Sequence, residues 1–348
     1  MRVRTAFLGA LAAFLAGCVS FPDAPVATTK PAIVNDAAIS VDGARLGLTR
    51  WDAPKPIAIL VAVHGMNDYA GTWFYAGPYW AARNVSVYAY DQRGFGRSPE
   101  FGRWAGGAAL KQDLRAVIAA VRAENPGLPL YVVGHSMGSG VIMAALKDAP
   151  LDVDGVILGA PGVWGGASMS IFYRAAISIS AGFAPGKTLT GEGAGRQASD
   201  NIEFLHAMYL DPYVIKETRL DAVLGAVKIM GDAWDASDEI GGKILFLYGE
   251  KDEIIPLKAM RRAAARLCGD VETIVYPEDW HLLFGDLQRE GVLDDVALWI
   301  AKDAENWRPR AQTGNPEAAV SNPADEGRSC GSARTSGKAV AATRPGAG

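Results

Sequence analysis

The sequence predicts an α/β fold: a mostly parallel sheet with helices on both faces and one helical insertion. Three observations predict it. First, unbroken apolar runs of strand length stand at 57–63, 85–90, 130–133, 153–158 and 243–248. Such runs mark strands covered on both faces. Second, helical spacing separates some of them, as at Leu110, Leu114, Val117, Ile118 and Val121. Strands alternating with helices build a parallel sheet. Third, this rhythm stops after Pro161 and resumes at Lys243, and residues 162–240 between them offer helical stretches and no convincing strand.

Residues 1–18 stand apart from the fold. Arg2 and Arg4 precede an apolar run at 6–16 that is too short to span a bilayer. It ends in Leu15-Ala16-Gly17-Cys18, which resembles a bacterial lipoprotein signal with its lipobox. That resemblance implies a lipidated Cys18 and membrane attachment. Val19 after it implies the outer membrane, with the protein facing the periplasm. Residues 19–36 are rich in Pro, Ala and Thr and read as a flexible tether.

The first part of the core is then 37–161. It opens with a hairpin at 38–51, turned at Asp42-Gly43. The second part is 241–307, with a helix at 257–267, a last strand at 271–276 and a closing helix at 292–306. Residues 308–348 carry few large apolar side chains and predict a disordered tail.

Composition bounds the function. The chain has 348 residues, 49% apolar and 21% charged, which is enough for a sizeable core. A net charge of −4 with no basic stripe argues against a nucleic-acid partner. The three cysteines, at 18, 268 and 330, have no metal-ligand spacing, and no metal or cofactor is expected. Cys268 reads as a packed thiol; a disulfide to Cys330 is compatible with the sequence but not required by it.

The chemistry centres on Gly134-His135-Ser136-Met137-Gly138. An apolar strand precedes it, and good helix formers at 143–147 follow. Strand, Gly-flanked Ser and helix describe a nucleophile elbow. A Ser nucleophile needs a base, and the chain has four histidines. His135 sits inside the elbow and points away from Ser136. His64 follows a strand and reads as shaping a loop. His206 reads as cap packing. His281 follows the last strand, at a carboxyl end where such sheets bind ligands, so it is the expected base.

Its acid should follow a strand between Ser136 and His281. Asp252 does; Glu250 and Glu253 remain alternatives, Asp279 lies on a later loop, and Asp232, Asp235 and Asp238 belong to the insertion. The backbone N–H groups of Met66 and Met137 are the expected oxyanion donors.

His64-Gly65, the run from Asp91 to Ser98, the Ser136 elbow and Gly249-Glu250-Lys251-Asp252 fall in one family's order. Over roughly residues 38–307 the chain resembles the monoacylglycerol lipase and lysophospholipase branch of the α/β-hydrolases. The resemblance implies a cofactor-independent serine hydrolase of lipid esters with a helical cap. Asn67-Asp68 stands where the family often has Gly-Glu, and Gln92 and Phe95 stand where it often has His.

In the first part of the cap, Trp164 through Phe183 is apolar, and Phe172 and Tyr173 are expected to line an acyl tunnel. A peptidase or acyltransferase on the same triad is the first alternative. A non-catalytic envelope lipoprotein that binds a partner is the second.

Overall fold

The structure, a computed structural model, describes residues 19–191, 195–305 and 340–341. Its strands are β1 (Ala32–Val34), β2 (Ala37–Ile39), β3 (Arg45–Trp51), β4 (Ala58–Val63), β5 (Val85–Tyr90), β6 (Leu130–His135), β7 (Gly155–Gly159), β8 (Thr188–Thr190), β9 (Glu217–Arg219), β10 (Ile244–Gly249), β11 (Val271–Tyr276) and β12 (Val340–Ala341). Ten of them form one sheet in the order β1-β2-β3-β5-β4-β6-β7-β10-β11-β12. From β5 through β11 every pairing is parallel. β1, β2 and β3 join antiparallel at one edge.

The apolar runs explain the layers. β4, β5, β6 and β10 are buried at every position. Their side chains alternate between two faces. Ile59, Val61 and Val63 point into one core with Tyr88, Tyr90 and Val132. Leu60, Ala62, Val87, Tyr131 and Leu247 point into the other.

Helices α1 (Ala76–Ala81), α2 (Gly107–Glu124), α3 (Met137–Asp148), α4 (Ile171–Phe183), α5 (Ile202–Leu210), α6 (Leu220–Ala236), α7 (Leu257–Ala264) and α8 (Arg289–Ala304) follow in chain order. α2 and α3 cover the first face, while α1 and α8 cover the second. A parallel sheet built this way opens its carboxyl edge to the loops after β4, β6, β10 and β11, where the site lies.

The insertion differs from the expectation in two ways. It contains strands: β8 and β9 pair antiparallel as a small ribbon. Its last helix is not a lid element, because Ala222, Ala226, Ile229, Ala233 and Trp234 of α6 are part of the main core. Small side chains on that face let α6 settle directly on α3.

The expected tether also differs. Residues 32–34 are a sheet strand, and the N–H groups of Thr28 and Thr29 both donate to Val41 O at 2.7 Å. Phe21 lies edge-on to Trp104 at 6.3 Å, with Lys228 Nζ 4.8 Å from its ring centre. Val19 packs against Ala181, Leu220 and Leu224. Two well-placed apolar side chains thus outweigh a composition that favours a free linker.

The signal at 1–18 and nearly all of the tail lie outside the described residues. Within the tail, Val340 and Ala341 pair in parallel with β11. Cys268 is buried and disulfide-bonded rather than a free thiol; its partner lies outside the described residues.

One buried ion pair joins the layers. Arg93 Nη2 and Nε donate to the fully buried Asp113 of α2 at 2.8 and 2.9 Å, and Arg93 also holds Asp42 in the β2–β3 turn at 2.9 Å. Ser40 Oγ donates to Asp113 at 2.5 Å. Removing one partner of such a pair leaves a charge buried and poorly compensated. Asp113→Ala is therefore expected to destabilise the fold by about 3 kcal/mol. A lower urea midpoint at unchanged slope would register that loss; an unchanged midpoint would contradict it.

Candidate active site

Ser136 occupies the turn between β6 and α3 at φ 50° and ψ −114°. A residue with a Cβ adopts that conformation only when its surroundings impose it. Here they do. Ser136 N donates to Gly159 O at 2.9 Å, and Ser136 O accepts from the N–H groups of Gly162 and Gly140 at 2.9 and 3.1 Å. The turn is also tight. A Cβ at Gly138 would fall 2.2 Å from Val63 O, and one at Gly134 would fall 2.4 Å from Ser139 N. Only glycine fits at either side of the nucleophile.

The loops after β10 and β11 bring the base and the acid to this turn. His281 Nε2 is 2.9 Å from Ser136 Oγ, and His281 Nδ1 is 2.7 Å from Asp252 Oδ2. The N–H groups of Ile254 and Ile255 donate to Asp252 Oδ1 at 2.7 and 2.9 Å. They leave the other oxygen for the imidazole. Burial alone would raise the Asp252 pKa, but His281 and these two N–H groups overcome it and hold the carboxyl below its ordinary range.

The alternative acids are engaged elsewhere. Glu250 pairs with Arg261 at 2.9 Å, and Glu253 accepts from Gln197 N at 2.8 Å. The three side chains make the linear array that a nucleophile, a general base and an orienting carboxylate require.

The backbone N–H groups of Met66 and Met137 flank the nucleophile, and neither is bonded to another group among the described residues. His64 fixes the first of these loops. Its Nδ1–H donates to Gly65 O at 2.8 Å, and its Nε2 accepts from Gln92 N at 2.9 Å. Burial lowers its pKa to about 4, so the ring is neutral.

The Asp91–Ser98 run supports this loop from below. Gln92 Nε2 donates to His64 O at 2.8 Å, and Phe95 lies edge-on to the His64 ring at 5.5 Å. Asp91 Oδ1 accepts from Ala70 N at 2.8 Å. The two departures from the family pattern, Gln92 and Phe95, thus both hold His64.

Asn67 and Tyr69 tie the same loop to the insertion. Asn67 sits at φ 68°; its Nδ2 donates to Thr218 Oγ1 at 2.7 Å and its O accepts from Ile215 N at 2.9 Å. Tyr69 Oη donates to Asp211 Oδ2 at 2.7 Å.

A cleft of about 300 Å³ adjoins the nucleophile, lined by His64, Gly65, Asp68, Thr72, Trp73, His135, Phe204, Leu282, Phe284 and Gly285. Phe204, from α5, is the cap's contribution. Phe172 and Tyr173 are not in it. They stand on α4, 81% and 60% exposed, and the Tyr173 ring meets Trp164 edge-on at 6.0 Å. α4 is apolar nearly all round, so its sequence does not say which side faces inward. His206 is exposed rather than packed in the cap.

Sequence reasoning missed Trp73, Phe204, Phe284 and Asp68 as site residues. Asp68 alone gave a signal, as a departure from the family pattern. Among the described residues, no group of three or more metal-ligating side chains is placed to hold an ion.

The His281 loop carries buried carboxyls. Asp286 accepts from Ser199 Oγ at 2.5 Å and from Trp280 N at 2.7 Å. Asp279 is 3% exposed and its Oδ1 has no partner. Burial, with Asp286 and Asp200 nearby, pushes Asp279 up to about 7; burial pushes Asp286 up to about 6.

A carboxyl raised on folding contributes stability below its unfolded pKa and loses it as pH rises through the folded one. The protein is therefore expected to melt at lower temperature at pH 8 than at pH 5. Asp279→Asn should shrink that difference. Thermal melts at the two pH values read it directly, and an equal pH effect in both proteins would refute the assignment.

Residues 54–288 match the model of the Hydrolase_4 family, described as serine aminopeptidase, S33. The chain is similar to a monoacylglycerol lipase of Mycolicibacterium smegmatis, at 28% identity over 271 residues, 75% of this chain and 94% of that one. Its fold is similar to that of the Paleococcus ferrophilus monoacylglycerol lipase (TM-score 0.62, 21% identity, 74% of this chain and 98% of that one). It is also similar to that of a soluble variant of the Saccharomyces cerevisiae monoglyceride lipase (TM-score 0.63, 17% identity, 82% and 99%). The chain belongs to the Hydrolase_4 family, as an α/β-hydrolase of its monoacylglycerol-lipase-like branch.

Proposed function

We propose that the protein is a serine hydrolase that cleaves single-chain lipid esters, a monoacylglycerol first among them and a lysophospholipid second. The unbroken Ser136–His281–Asp252 array beside an apolar cleft carries this reading. Ser136 Oγ attacks the ester carbonyl carbon as its proton passes to His281 Nε2. Asp252 keeps the other ring nitrogen protonated and stabilises the imidazolium. The oxyanion accepts from the Met66 and Met137 N–H groups.

His281 then protonates the departing alcohol and leaves an acyl group on Ser136. Water, deprotonated by His281, attacks that ester and releases the fatty acid. The aromatic walls of Trp73, Phe204 and Phe284 suit an acyl chain, since each buried methylene contributes about 0.8 kcal/mol. The similarity to proteins named monoacylglycerol lipase supports the substrate class.

The same reading places the enzyme at a lipid surface, anchored through a lipidated Cys18. Among the described residues, ten of the seventeen exposed large apolar side chains lie between 162 and 240. They include Ile171, Phe172, Tyr173, Ile179 and Phe183 of α4. Scattered exposed apolar residues need no explanation, but a concentration of them does. Val19, next to Cys18, packs at the foot of α4 against Ala181. No helix among the described residues is long and apolar enough to cross a membrane.

Two tests follow. Ser136→Ala and His281→Ala should each remove nearly all ester hydrolysis while the fold persists, with Asp252→Asn milder. A fluorophosphonate should label the wild type and not Ser136→Ala. Hydrolysis of aminoacyl amides and of no ester would overturn the lipid reading and favour a peptidase. Absence of labelling would favour a binding protein.

For the surface, Cys18→Ser should release the protein from membranes, and Phe172→Asp with Phe183→Asp should weaken its binding to lipid vesicles. Unchanged partitioning in both would exclude that orientation.

A further inference from the structure

We propose that Asp68 and His135 form an acceptor-only subsite for the leaving group, selecting esters whose alcohol carries further free hydroxyls. The inference rests on the ester-hydrolase reading above and narrows it.

Two of the four polar side chains in the cleft are already satisfied. His64 uses both ring nitrogens on the backbone, and Thr72 Oγ1 donates to Tyr69 O at 2.8 Å. The other two are not. His135 Nε2–H donates to the backbone carbonyl of His281 at 2.9 Å, which leaves Nδ1 as a bare acceptor. Burial lowers the His135 pKa to about 3, so this nitrogen stays unprotonated. Asp68 is 7% exposed, and among the described residues no group donates to its carboxyl. A buried polar group without a partner is costly unless something else supplies one.

Both acceptors face one small void beside the nucleophile. Gly65 marks it. A Cβ there would meet His135 Nδ1 at 3.0 Å, Asp68 Oδ2 at 3.3 Å and Ser136 Cβ at 3.5 Å. With glycine at 65, that space is open to substrate. Asp68 also interacts electrostatically with His281, the group that protonates the departing oxygen. The void therefore lies on the leaving-group side.

The chemistry of the two acceptors selects the ligand. A phosphate or carboxylate would repel the Asp68 carboxylate. An alkyl group would fill the void and leave both acceptors unpaired. An ammonium would be pressed against His281 as that residue becomes cationic. A neutral polyol donates to both acceptors and adds no charge. A glyceryl monoester has this property, because its two free hydroxyls lie next to the ester. A lysophospholipid carries an anion there and fits poorly.

The test compares esters of one acid on the full chain: 1-decanoyl glycerol, methyl decanoate and 1-decanoyl lysophosphatidylcholine, in the same detergent micelles. The readout is the ratio of kcat/KM values, which cancels any general loss of activity. Wild type should prefer the glyceryl ester over both others.

Asp68→Asn should lower the glyceryl-to-methyl ratio about tenfold, the worth of one hydrogen bond to a charged group. Gly65→Ala, which fills the void without touching Asp68, should lower it as well. Fluorophosphonate labelling of each variant confirms a competent Ser136. A ratio unchanged in both labelled variants would overturn the subsite, as would a wild type that prefers the methyl or lysophospholipid ester. A wild type that cleaves none of the three would overturn the ester reading itself, which is a separate outcome.

Discussion

The site depends on one unfavourable backbone conformation. Ser136 stands at positive φ with a Cβ attached, and three backbone hydrogen bonds to Gly159, Gly162 and Gly140 hold it there. Those partners come from β7, the segment after it and α3, so the sheet must be formed before the elbow is stable. The strain has a return. It lifts the hydroxyl clear of the sheet toward His281 and turns the first N–H groups of α3 toward the same space. Relaxing the turn to an ordinary strand-to-helix connection would lower the local energy and lose both effects. The glycines at 134 and 138 and the buried strands are the conditions under which this conformation persists.

The array beyond Ser136 is held from behind rather than from the front. Asp252 is fixed by two backbone N–H groups, and His281 by Asp252 on one side of the ring. His135 adds a third fixture by donating to the His281 carbonyl. The residue beside the nucleophile thus positions the base's own backbone. The neighbouring buried carboxyls, Asp279 and Asp286, hold the same loop at a cost in stability that grows with pH. A protein that keeps such groups beside its base carries a local instability that a core of apolar side chains would avoid.

Much of this was legible in the sequence. The strands were readable because burial on both faces writes a continuous apolar run. The Ser136–His281–Asp252 order was readable because each residue follows a strand and must therefore lie on the carboxyl edge. What was not legible depends on direction and on distant partners. The α4 residues are apolar on several sides, so nothing local says that Phe172 faces out while Phe204 of α5 faces in. Residues 19–31 have a linker's composition, and only the placement of Trp104 and Leu224 gives Phe21 and Val19 somewhere to pack. Asp68 sat in view as a departure from a pattern. Its burial beside Gly65 comes from the fold of the whole loop, which no short window of sequence specifies.

The loop that carries Met66 is where these threads meet. From below it is tied to the Asp91–Ser98 run through His64 and Ala70. From above it is tied to the insertion at Thr218, Ile215 and Asp211. The insertion is therefore not an independent lid on a finished site. Any movement that carries β9 and the segment before it away from the core must either break three hydrogen bonds or drag Asn67 with it. Met66 is the residue next to Asn67, and its N–H is one of the two free donors beside Ser136.

The insertion splits accordingly. α6 is part of the core and α5 lines the cleft through Phe204, while α4 presents its apolar side chains outward. A lipid surface that pulled on α4 would act on the segment least committed to the core. The ties at Asn67 and Tyr69 would hold the donor loop in place while α4 shifted. That separation lets a cap meet lipid and admit substrate without loosening the geometry that Ser136 needs.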